Sequence, residues 1–96
     1  MNRDQVLVAR RRVTIVNQRG LHARAAAKFV KLAGSYEADV VVRKDGIEVS
    51  GLSIMGLMML AAGLGAEIEL QVKGPARDSA LTALAGLVAA GFHEDA

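Results

Sequence analysis

The chain has 96 residues and a formal net charge of +2; 52% of its residues are hydrophobic and only 3% are aromatic. That length fits one domain with one modest aliphatic core, and the apolar fraction excludes a disordered chain. The absence of cysteine excludes disulfides, thiolate zinc sites and cysteine nucleophiles, and so small a net charge does not by itself point to nucleic acid.

Val13 and Ile15, with Val6 and Val8 before them, predict a first strand over residues 11–16. Asn17-Gln18-Arg19-Gly20 reads as a turn, because Asn and Gly tolerate the backbone conformations turns require. A helix follows: Ala26, Phe29, Val30 and Ala33 fall at i, i+3, i+4 and i+7, while Arg24, Lys28 and Lys31 fall on another face. Gly34 is placed to end it. Residues 38–43 are Val-rich and predict a strand; Lys44-Asp45-Gly46 supplies a hairpin turn, and residues 47–49 return. Ser53 is set to cap a short helix over residues 54–60, with Leu57 and Leu60 in the core and Met55 and Met58 partly exposed. Residues 67–72 alternate Glu, Ile, Glu, Leu, Gln, Val, the pattern of a half-buried strand. Gly74-Pro75 is a turn. A last helix over residues 76–91 puts Ala80, Leu81, Leu84, Leu87 and Val88 on one stripe. One-sided strands and amphipathic helices in the order βαββαβα imply an antiparallel sheet with its helices on a single face, an α+β fold.

No hydrophobic run approaches the roughly 20 residues needed to cross a bilayer. Residues 1–12 lack the apolar stretch of a signal peptide. A cytoplasmic protein is the expectation. Its cations gather early in the chain, at Arg10, Arg11, Arg12, Arg19, Arg24, Lys28 and Lys31. One basic end suggests an acidic partner or a phosphate.

The chemistry concentrates in Gly20-Leu21-His22-Ala23-Arg24, where turn becomes helix. A helix start offers backbone N–H groups that have no intrahelical partner, including those of Ala23 and Arg24, and a partial positive charge. An anion is stabilised there, and the Arg24 guanidinium can add a charge-assisted hydrogen bond. These positive surroundings favour a neutral, nucleophilic His22 ring. The combination suits a histidine that accepts and then donates a phosphoryl group. A single histidine at a helix start is nevertheless more often an ordinary first-turn residue. His93, the other histidine, lies near the C-terminus, and no His/Asp/Glu cluster has metal-ligand spacing. There is no P-loop and no Gly-x-Gly-x-x-Gly.

Gly20-Leu21-His22-Ala23-Arg24, followed by Ala26-Ala27-Lys28-Phe29-Val30, resembles the active-site segment of HPr, the phosphocarrier of the bacterial phosphotransferase system. Ser53-Ile54-Met55-Gly56-Leu57-Met58-Met59-Leu60 resembles that family's regulatory-serine motif, in the same register. The resemblance runs from about Val13 to Phe92. It implies an open-faced β-sandwich of four antiparallel strands and three helices, a single domain over residues 1–96 with residues 1–10 a flexible extension, and a monomer. It implies that His22 takes a phosphoryl group on Nδ1 from phosphorylated enzyme I and passes it to an enzyme IIA component, so that the chain is a carrier without turnover of its own. By the same resemblance, Arg24 balances phosphate charge and Ser53 is the target of an HPr kinase/phosphorylase where one exists. By position in that resemblance, Ile54, Met55 and Met58 match the family's apolar docking surface beside the histidine. Adaptable contact with several partners suits Met. No cofactor, metal or membrane insertion is implied.

The pattern departs from the family at Ala25, where proline is usual, and at Arg19, where many relatives have a small polar residue. Alanine is a strong helix former, so the helix should persist with a less rigid start. The residues 17–20 approach and Ser53 lean toward the nitrogen-regulatory branch over sugar transport. Two other classes stay open: a nucleic-acid-binding module built on the basic residues, which has too few aromatics for base stacking, and a regulator that docks through Met55 and Met58 without phosphorylation.

Overall fold

The computed structural model describes residues 7–94. Strand β1 spans Ala9–Thr14, helix α1 Ala23–Gly34, β2 Asp39–Lys44, β3 Ile47–Ser50, α2 Ile54–Met59, β4 Glu67–Lys73 and α3 Arg77–Ala89. A 3₁₀ turn follows at Gly91–His93. The strands form one antiparallel sheet in the order β1-β4-β2-β3.

The alternation in β4 decides the layering. Ile68, Leu70 and Val72 are buried, whereas Glu67 is exposed and Glu69 and Gln71 are half-buried. In register, Leu70 faces Val42 and Val72 faces Val40, both buried on β2. Side chains on one face of neighbouring strands make the cross-strand contacts that hold a sheet. The helices cover that apolar face: α3 packs on β1 and β4, and α1 packs on α2 and α3. Phe29 and Ala26 from α1, Leu57 from α2, and Ala80, Leu84 and Val88 from α3 are at most 1% exposed. This is the expected open-faced sandwich, with its helices on one side.

The β2–β3 hairpin closes through Asp45 at φ 51° and Gly46 at φ 80°. Both values are positive, as a two-residue type I′ turn requires, and Lys44 faces Ile47 in register across it. Ser53 is the N-cap of α2; its Oγ accepts the Gly56 N–H at 2.9 Å.

Most boundaries shift by one residue from the sequence expectation, and the two largest differences lie at β1 and at the end of the last helix. Strand β1 occupies 9–14 rather than 11–16, so Ala9 and Arg10 belong to the sheet and not to the extension expected over 1–10; residues 1–6 lie outside the described region. An edge strand of consecutive arginines has no apolar alternation to announce it, and charge on such a strand disfavours pairing with another chain. The last helix ends at Ala89, because Gly91 at φ 63° turns the chain into a left-handed conformation.

Candidate functional site

The loop from β1 to α1 is pinned at both ends. The Ile15 N–H donates to the Ala66 carbonyl and the Gly65 N–H to the Ile15 carbonyl, each at 2.8 Å. The Leu21 N–H donates to the Ala62 carbonyl at 2.9 Å. Between them Gly20 sits at φ +65°, and a Cβ on it would lie 2.5 Å from the Ala62 oxygen and 2.7 Å from Gly63 Cα. Only glycine accepts both the conformation and the approach. His22 is thereby fixed two residues on, as the N-cap of α1.

His22 has extended backbone, and its side chain makes no capping bond. The helical ladder begins with the Ala26 N–H donating to the His22 carbonyl at 2.8 Å. The Ala23 and Arg24 N–H groups precede that bond and point out of the helix start. The His22 side chain is only 16% exposed, and its Nε2 meets a carboxylate oxygen of Glu94. The other Glu94 oxygen accepts from Asn17 Nδ2 at 2.5 Å, and the same amide nitrogen donates to the Gly20 carbonyl at 2.8 Å. Lys28 Nζ donates to the Phe92 carbonyl at 2.6 Å. Arg19, Arg24 and Lys28 line a cleft together with Asn17, His93 and Glu94.

The Glu94 carboxyl is held below the ordinary carboxylate range chiefly by its hydrogen bond with His22. Partial burial opposes this, while the Asn17 bond and charge interactions with His22 and Arg19 reinforce it.

The structure places His22 and the Ala23 and Arg24 backbone at the start of α1, and the Arg24 side chain in the cleft that Glu94 also lines. It corrects the purely positive surroundings expected for His22, because a carboxylate from the far end of the chain sits on the ring. Glu94 and the contacts of Asn17 and Lys28 are absent from the sequence reading, which places Asn17 only in the turn before the helix. Ser53, Ile54, Met55 and Met58 are gathered separately, on α2. Met55 is 71% exposed and Met58 41%, whereas Leu57 and Leu60 are buried. Met59, at 73%, joins the exposed set. This apolar surface adjoins the histidine loop through Ala62 and Gly63, which follow α2 and pack against Gly20. Ala25 is wholly buried in the first turn of α1, which begins at Ala23 without a proline.

Arg12 stands opposite Glu69 in register and pairs with Glu67 at 3.5 Å. Phe29 and Phe92 are at most 1% exposed, so neither offers a face for base stacking.

Comparison with known proteins decides the family. The profile described as the PTS HPr component phosphorylation site matches residues 9–90. The chain belongs to the HPr family of phosphocarrier proteins. It is similar to the phosphocarrier protein HPr of Cupriavidus necator, with 46% identity over 84 residues that cover 88% of this chain and 94% of that one. It is also similar to the phosphocarrier protein NPr of Shewanella violacea, with 44% identity over 84 residues, 88% of this chain and 92% of that one. A crystal structure of HPr from Thermoanaerobacter tengcongensis superposes with a TM-score of 0.87 at 35% identity, covering 92% of this chain and 99% of that one. Members of the HPr family are phosphocarriers, not catalytic enzymes. Among the described residues, no group of three or more His, Cys, Asp or Glu could hold a metal ion, and no helix is long and apolar enough to cross a membrane.

Proposed function

We propose that this chain, as one domain, accepts a phosphoryl group on His22 from phosphorylated enzyme I and passes it to an enzyme IIA component in the cytoplasm. The observation that carries the reading is the placement of His22 as N-cap of α1, where the Ala23 and Arg24 N–H groups precede the first bond of the helical ladder and the Arg24 side chain lines the cleft that Glu94 also lines. In the forward step a ring nitrogen of His22 attacks phosphorus. The new N–P bond forms as the bond to the donor breaks, and the electron pair leaves with the donor. The phosphoryl oxygens then meet the Ala23 and Arg24 N–H groups and the helix dipole. Arg24 balances their charge. Onward transfer is the same step reversed against an acceptor.

Ile54, Met55 and Met58 are the docking surface in this reading. Their exposure beside the histidine loop supports one face serving donor and acceptor in turn. Ser53 is a regulatory site for an HPr kinase/phosphorylase. A phosphate there adds charge at a helix start, which the helix tolerates, and beside an apolar surface, which a partner does not. The approach through Asn17 and Arg19 favours the nitrogen-regulatory branch, and the protein acts as a monomer.

Incubation with phosphoenolpyruvate and active enzyme I, followed by intact mass, tests the carrier function. One acid-labile phosphoryl group, absent in His22→Ala, is expected. No added mass on the wild-type chain overturns the reading and favours docking through α2 without phosphorylation.

A further inference from the structure

None of Arg10, Arg11 and Arg12 lines the histidine cleft. All three are exposed along β1, and β1 is an edge strand whose one neighbour among the described residues is β4. In an antiparallel ladder, alternate residues turn both backbone groups toward the neighbouring strand, and the residues between turn theirs away. Over its six residues β1 therefore presents outward N–H and C=O groups, a template for one more strand. The register sorts the arginine side chains. Arg10 stands opposite Gln71 and Arg12 opposite Glu69, on the face of the sheet that the helices leave bare. Arg11 stands opposite the buried Leu70, on the other face. Arg12 is paired with Glu67. Among the described residues, neither Arg10 nor Arg11 has a carboxylate within ion-pair distance.

We propose that the outer edge of β1 is a docking site for an acidic, extended segment of a partner protein, which joins the sheet as an added strand. Side chains of such a strand alternate between the two faces of the sheet. Its acidic residues would meet Arg10 and Arg12 on one face and Arg11 on the other. Main-chain hydrogen bonds supply affinity, and the arginines select the partner by charge. The same placement disfavours nucleic acid, whose phosphates need cations gathered on one surface; Glu67 and Glu69 beside Arg12 repel a polyanion. A second copy of the chain is disfavoured as well, because β1 against β1 sets arginine beside arginine. The opposite edge differs: β3 has four residues, and its single charge is Glu48. The two edges lie three strand spacings apart, about 14 Å, and α2 packs on the β3 side. A segment bound at β1 therefore leaves the Met55 and Met58 surface open. The inference stands apart from the carrier reading, since nothing in it requires His22.

The test titrates a short acetylated peptide of alternating Glu and Thr into the full, unphosphorylated chain and follows backbone amides by NMR. Shifts confined to β1 and its neighbour β4 are expected, with α2 unchanged. At saturation, alternate amides of β1 should exchange with solvent roughly tenfold more slowly, the mark of an added strand. Arg10→Gln and Arg11→Gln should each weaken binding about threefold, the size of one exposed ion pair, and added salt should weaken it further. Unchanged amide spectra away from β1 will show that both variants are folded. The same peptide with Lys in place of Glu should not bind. No binding of the Glu peptide, binding without protection of β1, or equal binding of the Lys peptide overturns the proposal. So does a DNA duplex that occupies the β1 edge more tightly than the Glu peptide. Phosphoryl transfer enters none of these readouts, so a failed transfer to His22 would sink the carrier reading and leave this test standing.

Discussion

Along α3, Ala80, Leu81, Leu84, Leu87 and Val88 are all buried, and the helix packs on β1 and β4. A few residues later, the Glu94 side chain makes polar contacts with His22 and Asn17. The first region contributes burial and no chemistry. The second contributes chemistry and little burial, apart from the ring of Phe92. Stability and function in this small domain thus fall on neighbouring but separate residues, and the site loop at Gly20 is where the two meet.

Substitutions sharpen that contrast. Leu84→Ala should show the largest stability loss, about 2–5 kcal/mol in denaturant unfolding, because it opens a cavity in the shared core. Its folded fraction should accept phosphoryl groups at the wild-type rate; a lost rate would break the separation. Gly20→Ala should affect both properties. The added Cβ meets the Ala62 oxygen and Gly63 Cα, which are backbone atoms, and the left-handed φ adds strain. A destabilisation of about 1–3 kcal/mol is expected, together with slower transfer from a displaced His22. Ser53→Ala removes the Oγ that accepts the Gly56 N–H and should cost about 1 kcal/mol by thermal unfolding, with acceptance at His22 unchanged.

The smallest expected effect is the response of the tail to acid. The Glu94 carboxyl in the folded protein is depressed below its ordinary range. A depressed carboxyl contributes stability above its unfolded pKa and loses it as pH falls through the folded value. The groups around it are His22, Arg19, Arg24, Lys28 and His93. Amide chemical shifts of His93 and Glu94 should therefore stay constant from neutral pH down through the ordinary carboxylate range and move only below it. Movement centred on the ordinary value would show that the carboxylate is not held.

The fold was legible because its signals are local. Alternation in β4, the apolar face of α1, the stripe of α3 and the Asp-Gly turn each lie within one short window. The start of β1 was not legible, since Arg10, Arg11 and Arg12 carry no alternation and the strand is defined by its register with β4. His22, Ala23 and Arg24 were legible because one segment holds them all. Glu94 was hidden for a physical reason. It lies 72 positions from His22 and reaches it only through left-handed backbone at Phe92 and His93. Non-glycine residues adopt that conformation uncommonly, and a bulky Phe less readily than His. The burial of the Phe92 ring and the Lys28 contact impose it, and both exist only in the folded chain.

The measurement that bears most directly on the account is the identity of the phosphorylated nitrogen. One-bond ³¹P–¹⁵N coupling in ring-labelled, phosphorylated protein distinguishes the two ring nitrogens and the two histidines. Because Glu94 covers Nε2, coupling to Nδ1 of His22 is expected, with His93 unmodified. Coupling to Nε2 of His22, or phosphate on His93, would contradict it.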